Sequence, residues 1–474
     1  MRGTKYGAFW EGRMSRIPNI KVTPPGPNAQ EYVELDHKYI SKGSGVKLLP
    51  LVPEHGEGAT ITDVDGNVFI DFLSGAGAAI TGYSHPVLVK AVQEQVSKIQ
   101  HSMVGYTYST NAISLARKIS DITPGKYGKK VAYGLSGSDA GDMAVKIARY
   151  ATKKTWIITF IGAYHGQTYG STSLTQFQGS LKKDLGPLVP NILAVPYPDP
   201  YRNPWNIDGY KEPEKLTEAS IGYIEKYIVG HVIPKDDIAM ILVEPIQGDT
   251  GTVIPSQNFF CKLRGLCDKY GILLGIDEVQ TGLGRTGKWF GIEHFGVEPD
   301  LMMLGKGLAS GMGLSAVVYR EELRDPPPGT LLLTSAANPV ASVAALATIE
   351  IIEKEDLLKK SSKIGEYLMK RFYEMQDKYP IIGDVRGKGL MIALDIVKDR
   401  RTKFHDPDLT GKICWRAFEL GLVLPSIGFY GNCIRIVPPL VLSEDLARIA
   451  ADIIEHAIND AVNGKVKKAT TTWT

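Results

Sequence analysis

This sequence predicts an α/β protein with a large, mostly parallel sheet and a smaller α+β unit. Three observations carry that reading. From about residue 85 to 340, short apolar runs alternate with helical stretches, the pattern of parallel strands covered on both faces. Four of the runs, "TWIITFIG", "IAMILVEPI", "ILLGIDE" and "LMMLG", are nearly continuous in hydrophobic residues, as strands buried on both sides must be. And 474 residues are too many for one compact core but suit two or three domains.

The elements follow in order. The first ~25 residues end in "TPPGP", a stiff, non-helical leader. "ATITDVDGNVFIDF" reads as two short strands joined by a turn at Asp65-Gly66. Its "DVDGN" lacks the later acidic ligands and closing Glu of a calcium loop, so the hairpin is preferred. "PVLVKAVQEQVSKI" and "DAGDMAVKIARYATKK" are helical, and "RDPPPGT" (Arg324 to Thr330) is a rigid loop. A long helix begins near residue 340 with "PVASVAALATIEIIEKEDLL", and "IIGDVRGKGLMIALDIV" gives two strands around a Gly turn. The predicted division is an N-terminal segment and hairpin (1–84) that joins a small domain, a large domain (85–340) and the C-terminal small domain (341–474). The "KKATTTWT" tail reads as mobile.

Composition narrows the function. A net charge of +3, with Lys and Arg spread along the chain, lacks the footprint of a nucleic-acid binder. No apolar run reaches the roughly 18 residues of a membrane span, and the basic start "MRGTKYGAFWEGR" has no apolar core of a secretion signal. The four cysteines, Cys261, Cys267, Cys414 and Cys433, lack metal-ligand spacing. They are expected to be reduced and buried, which fits a cytoplasmic protein. The nine histidines form no HxxxH or HExxH pattern, so no metal site is expected.

Chemistry enters at "LLGIDEVQTGLGRTG" (Leu273 to Gly287), where two carboxylates, Asp277 and Glu278, end an apolar run. An ionised carboxylate buried without a partner costs several kcal/mol or takes a raised pKa. Something nearby must call for negative charge. In "YGLSGSDAGDMAVKIARYA", Ser136, Gly137 and Ser138 precede an apolar helix face, so free N–H groups and the helix dipole can receive an oxyanion; a plain capped helix is the competing reading. "FIGAYHGQTYG" puts Tyr164 and His165 at a strand's carboxyl end, where ligands of such sheets bind, although a packed Tyr and a satisfied His read equally well. "GLGRTG" matches the GxGxxG dinucleotide fingerprint, but no small-residue helix face follows, and that reading is rejected. In "DLMMLGKGLASGMG", Lys306 lies between glycines just past an apolar strand. Held in a partly desolvated cleft, its amine becomes a nucleophile for carbonyls.

Together these segments resemble the class III aminotransferase family of pyridoxal-phosphate enzymes, of fold type I. The resemblance runs from "DVDGNVFIDF" through "GYSHP", "LSGSDA", "VEPIQG", "IDEVQTGLGRTGKWF", "GKGLASGMGLSAVV" and "TSAANPV" to "IRIVPPL". It implies pyridoxal 5'-phosphate as cofactor. Asp277 would accept a hydrogen bond from the protonated pyridine nitrogen, and Lys306 would form the imine with the aldehyde and later carry protons. Gln280 would contact the ring's phenolic oxygen and Tyr164 would stack on the ring. Gly137, Ser138 and, from the other subunit, Thr334 would hold the phosphate, which implies a homodimer or higher homo-oligomer.

Three departures bear on the reaction. Where many relatives have "HGRT", this chain has "HGQT", so Gln167 replaces an Arg that grips a substrate carboxylate. "EPIQGEGG" becomes "EPIQGDTG", which puts Asp249 in place of a Glu, and "TFGGNP" becomes "TSAANP". A racemase needs an acid on each side of the substrate carbon. Lys306 serves one side, and Asp249 stands where a racemase of the same fold class uses an aspartate on the other. The competing reading pairs Asp249 with Arg435 as an ion pair. The resemblance is closest to an archaeal branch holding broad-specificity amino-acid racemases and an ornithine aminotransferase. Racemisation of neutral amino acids is therefore the first reading, with amino transfer to 2-oxoglutarate the alternative. A binding protein that kept the fold and lost the chemistry is opposed by intact Asp277, Gln280 and Lys306. The small residues of "SGAGAAITGY" (Ser74 to Tyr83) are expected to face substrate or to pack tightly against a partner subunit.

Overall fold

The computed structural model of the chain describes residues 17–470. The stretch "MRGTKYGAFWEGR" and the last four residues of "KKATTTWT" lie outside the described residues.

Three sheets organise the chain. In the first, β1 (Pro53–Glu57), β2 (Thr60–Asp63) and β3 (Val68–Asp71) pair antiparallel, and β14 (Leu422–Val423) joins β3 in parallel. The turn between β2 and β3 falls at Asp65-Gly66. Gly66 takes φ +79°, and Asp63 Oδ1 accepts the N–H groups of Asp65 and Asn67. The short carboxylate side chain thus closes the turn.

The second sheet has seven strands in the order β4 (Lys129–Gly134), β10 (Ser315–Arg320), β9 (Leu301–Leu304), β8 (Leu273–Asp277), β7 (Ile238–Val243), β5 (Trp156–Phe160) and β6 (Ile192–Val195). The five strands from β9 to β6 are parallel, and β10 runs against both its neighbours. The four apolar runs of the sequence are β9, β8, β7 and β5, adjacent at the centre. Burial explains their composition. Along β9, Leu301 and Met303 face one core cluster while Met302 and Leu304 face the other. The first cluster is covered by Ala140, Met143, Ala144 and Ile147 of the helix Gly137–Thr152. On the opposite face lie Phe259, Phe260 and Leu263 of the helix Phe259–Tyr270. Each large side chain so covered contributes about 1.5–3 kcal/mol.

The third sheet is antiparallel: β11 (Ile382–Lys388), β12 (Met391–Asp399), β16 (Cys433–Ile436) and β15 (Ser426–Ile427), with β13 (Phe404–His405) on β12. The turn between β11 and β12 uses Gly389 at φ +54°.

Two sequence expectations need correction. The long helix after residue 340 is broken: Pro339–Lys354 ends before "EDLL", Asp356 takes a left-handed φ of +50°, and a second helix runs Leu357–Lys378. Not all cysteines are buried. Cys267, Cys414 and Cys433 are buried free thiols, but Cys261 is exposed. On its helix the inward stripe is Phe259, Phe260, Leu263, Leu266 and Cys267, and residue 261 falls on the opposite side.

The "GLGRTG" loop joins the sheets. Arg285 is fully buried; its Nη1 donates to the carbonyls of Leu390 and Pro438, and its Nη2 to Ser74 Oγ. Burial, with Arg435 adding, pushes its pKa down to about 9. One guanidinium thereby fastens three distant segments. Among the described residues, no helix is long and apolar enough to cross a membrane.

Candidate active site

Four neighbouring strands present their carboxyl ends to one place. β9 is followed by Gly305 and Lys306, β8 ends at Asp277, β7 is followed by Glu244, and β5 runs into the loop of Tyr164 and His165. A cavity of about 150 Å3 opens there, lined by Gly137, Ser138, Tyr164, Asp277, Gln280 and Lys306 together with His165 and Glu244. Six residues singled out from the sequence thus share one wall. Thr334 does not line the cavity and is exposed in a turn of this chain.

The helix Gly137–Thr152 begins at this cavity. Ser136 caps it reciprocally with Asp139, and the first-turn N–H groups lack intrahelical partners by helix geometry. Space here is tight. A Cβ on Gly137 would lie 2.9 Å from Val279 Cγ1, and one on Gly166 would lie 2.3 Å from Ser138 Oγ. Ser138 Oγ also accepts the N–H of Gln167 at 3.0 Å.

Asp277 is 3% exposed. Its Oδ1 accepts the N–H of Val279 at 2.9 Å, and its Oδ2 lies 2.6 Å from His165 Nδ1. Glu278, the neighbouring acid, points away from the cavity. It accepts from the N–H groups of Gly291 and Ile292 and from the Thr281 hydroxyl. Of the two carboxylates that end the apolar run, one faces the site and the other holds a loop.

Lys306 is half-buried with φ +41°. Desolvation pulls its pKa below the usual lysine range, with Arg435 adding and Asp249, Glu244 and Asp277 opposing. Asp249 is buried behind Gln280. Its Oδ1 accepts from Arg435 Nη2 at 2.8 Å and from Gln280 Nε2 at 3.3 Å, while Arg435 Nη2 also donates to Gln280 Oε1. Burial works against its charge, yet Arg435, Lys306 and these hydrogen bonds hold its carboxyl below the ordinary value. The ion pair weighed from the sequence is present. Tyr164 has its phenol pKa raised by burial and by Asp249, against a hydrogen bond from Gln167. The segment Ser74–Tyr83 touches the lysine loop: Thr81 Oγ1 lies 2.8 Å from Ser310 Oγ, and a Cβ on Gly307 would press on Ile80.

Sequence reasoning missed Glu244 and left His165 undecided. The signal for Glu244 was the same as for Asp277, an acid just after an apolar run.

These residues fit the cofactor expected from the motifs. A glycine-lined helix start suits a phosphate, a buried carboxylate braced by a histidine suits a pyridinium nitrogen, and a desolvated amine suits an aldehyde. Gly137, Ser138, Asp277, Gln280 and Lys306 would hold it, with Tyr164 against the ring.

Residues 40–458 match the model of the aminotransferase class-III family. The chain is 57% identical over 460 residues to an alanine/serine racemase of Pyrococcus horikoshii, covering 97% of this chain and 96% of that one. It is 42% identical to a leucine/methionine racemase of Thermococcus litoralis, across 92% of this chain and 97% of the relative. Among solved structures, an amine transaminase from an uncultivated Pseudomonas species in the PLP-bound form matches with a TM-score of 0.79 at 30% identity, covering 87% of this chain and 95% of the other.

Proposed function

We propose that this chain, which belongs to the aminotransferase class-III family, is an amino-acid racemase that interconverts the L- and D-forms of neutral amino acids and works as a cytoplasmic homodimer. Its cofactor is pyridoxal 5'-phosphate, which when bound draws electrons from the substrate and acidifies its Cα–H bond. In this reading the chain divides into an N-terminal segment (1–84) and a C-terminal portion (341–474) that form a small domain, and a large cofactor domain (85–340).

One observation carries the racemase reading. Asp249, a buried carboxylate, is hydrogen-bonded to Gln280, which lines the same cavity as Lys306. Inverting Cα requires one group to take a proton from one face and another to deliver a proton to the opposite face. Lys306 and Asp249 are the two groups. Arg435 keeps Asp249 ionised and ready to accept, while Lys306 carries the proton to be returned; after one turnover their protonation states have exchanged, and reverse turnover or solvent restores them. Asp277, hydrogen-bonded to His165, would anchor the pyridine nitrogen. Gly137 and Ser138 would take the phosphate, and Thr334 from a second copy would complete that site.

The ion pair itself favours a second reading, amino transfer. An arginine neutralised by Asp249 at rest can release it and grip a carboxylate of 2-oxoglutarate. The two readings separate in one experiment. The enzyme is incubated with L-alanine, L-serine, L-leucine, L-methionine or L-ornithine without any keto acid, and the products are resolved by chiral chromatography. Formation of the D-isomer is expected. Turnover only when 2-oxoglutarate is added, with glutamate appearing, would overturn racemisation.

A further inference from the structure

Tyr164, Glu244, Asp277 and Lys306 end or follow four adjacent strands, and three of them have work in the reading above. Glu244 does not. The residue is 5% exposed and its side chain reaches two separate loops: Oε1 accepts the N–H of Tyr164 at 3.1 Å, and Oε2 accepts the N–H of Gly248 at 2.9 Å. Gly248 immediately precedes Asp249. It also backs onto Gln280, whose amide a Cβ at 248 would meet at 2.4 Å. From this geometry we propose that Glu244 is a positioning residue, a single carboxylate that locks the ring at 164 and the turn presenting Asp249 into one rigid wall. The proposal rests on the roles given above to Tyr164 and Asp249.

The side-chain chemistry is demanding. A buried N–H of Gly248 and a part-buried N–H of Tyr164 converge on one residue, and only an ionised carboxylate offers acceptors at both ends. Gln would set an NH2 against one of the N–H groups, Asp is one methylene short, and Ala leaves both N–H groups without this acceptor. Burial is the main opposing force: it pushes the Glu244 carboxyl up to about 7, with His165 opposing, Asp277 adding, and the two N–H bonds favouring the charged form. So costly a carboxylate persists where its two bonds hold something in place. Tyr197 braces it from behind, its hydroxyl reaching the carbonyls of Glu244 and Pro245.

A residue that only stabilises the fold would change melting and leave turnover intact. One that sets the distance between a ring and a proton-handling carboxylate acts on kcat, because a misplacement of about 1 Å can cost on the order of a hundredfold. The test uses cofactor-loaded E244Q and E244D. For each, kcat and KM are measured for D-alanine formation from L-alanine without keto acid, with the visible circular dichroism of the bound cofactor and the melting temperature recorded alongside. The expected result for E244Q is a kcat about tenfold or more below wild type, KM within about twofold, full cofactor loading and a weakened dichroic band; E244D loses part of the same rate. Wild-type kcat and an unchanged band in E244Q overturn the proposal, whatever happens to melting. If E244Q does not fold, E244D decides by the same two readouts. If the wild type makes no D-alanine but transfers its amino group to 2-oxoglutarate, the racemase reading fails. The positioning role is then judged separately, by transfer kcat and the dichroic band in the same variants.

Discussion

His165 Nδ1 and Asp277 Oδ2 lie 2.6 Å apart at the floor of the cavity, both buried. The imidazole thus gives Asp277 a donor from the protein side, while Val279 N–H occupies the other oxygen. A charge-assisted hydrogen bond in such surroundings is among the stronger kinds. Removing it leaves the carboxylate short of one donor. His165→Phe is therefore expected to weaken cofactor binding by about tenfold or more, and His165→Asn, whose amide nitrogen can stand in for Nδ1, by less. Titration of the apo-enzyme with pyridoxal 5'-phosphate, followed by absorbance, gives the two dissociation constants. Equal affinity in His165→Phe and wild type would show that the histidine does not brace Asp277.

Lys306 is the proposed point of covalent attachment. In Lys306→Ala the cavity keeps its phosphate and nitrogen contacts, so the cofactor is still expected to bind, reversibly. Racemisation should fall by at least about a thousandfold, since the variant loses both the covalent link and one proton carrier. Reduction with borohydride followed by mass spectrometry checks the assignment: wild type retains the cofactor mass on the peptide containing residue 306, and the variant shows no adduct on any lysine.

Much of this site is legible in the sequence because each signal is local. A lysine between glycines after "LMML", an acid after "LLGI" and small residues before a helix are readable one segment at a time. What escapes is the relation between segments. Glu244 carries the same local mark as Asp277, yet its partners at 164 and 248 become visible only when β5 and β7 lie side by side. The same holds for the strands. β4 opens on two lysines, and the apolar stretches of β6, "ILAV", and β10, "SAVVYR", are no more distinctive alone than other short runs, so these strands are defined by pairing. The helix break at Asp356 has no glycine or proline to announce it, since an aspartate adopts the left-handed conformation there.

Asp249→Asn tests the second proton carrier. The amide preserves size but cannot accept a proton from Cα, so D-isomer formation is expected to fall by about a hundredfold or more. Any amino transfer should persist. The substitution also leaves Arg435 without its counter-ion. Both groups are buried, and breaking such a pair costs about 3–5 kcal/mol when one charge is left unpaired. A lower melting temperature should accompany the loss of racemisation, and pairing Asp249→Asn with Arg435→Gln should recover much of the stability without recovering racemisation. A double variant that regains both would make Asp249 structural only.

Glu278 gives a pH dependence whose sign follows from its surroundings. Burial lifts its carboxyl from 4.5 to about 7 despite the hydrogen bonds from Thr281, Ile292 and Gly291, with Glu293 adding to the rise. In the unfolded chain it ionises near its ordinary value. Between about pH 4.5 and 7 the folded state therefore holds more protons than the unfolded one, and stability falls as pH rises through that window and levels off above it. The shift corresponds to about 3 kcal/mol at most. Glu244, also raised to about 7 by burial, contributes with the same sign, so the wild-type slope contains both acids. Comparison with E278Q isolates one of them, because contributions common to the two proteins cancel. Melting temperatures of the apo-enzymes from pH 5 to 8 should show the wild type losing stability between pH 5 and 7 more steeply than E278Q. Parallel curves would mean that Thr281, Gly291 and Ile292 keep Glu278 ionised throughout, with the loop bonds outweighing desolvation.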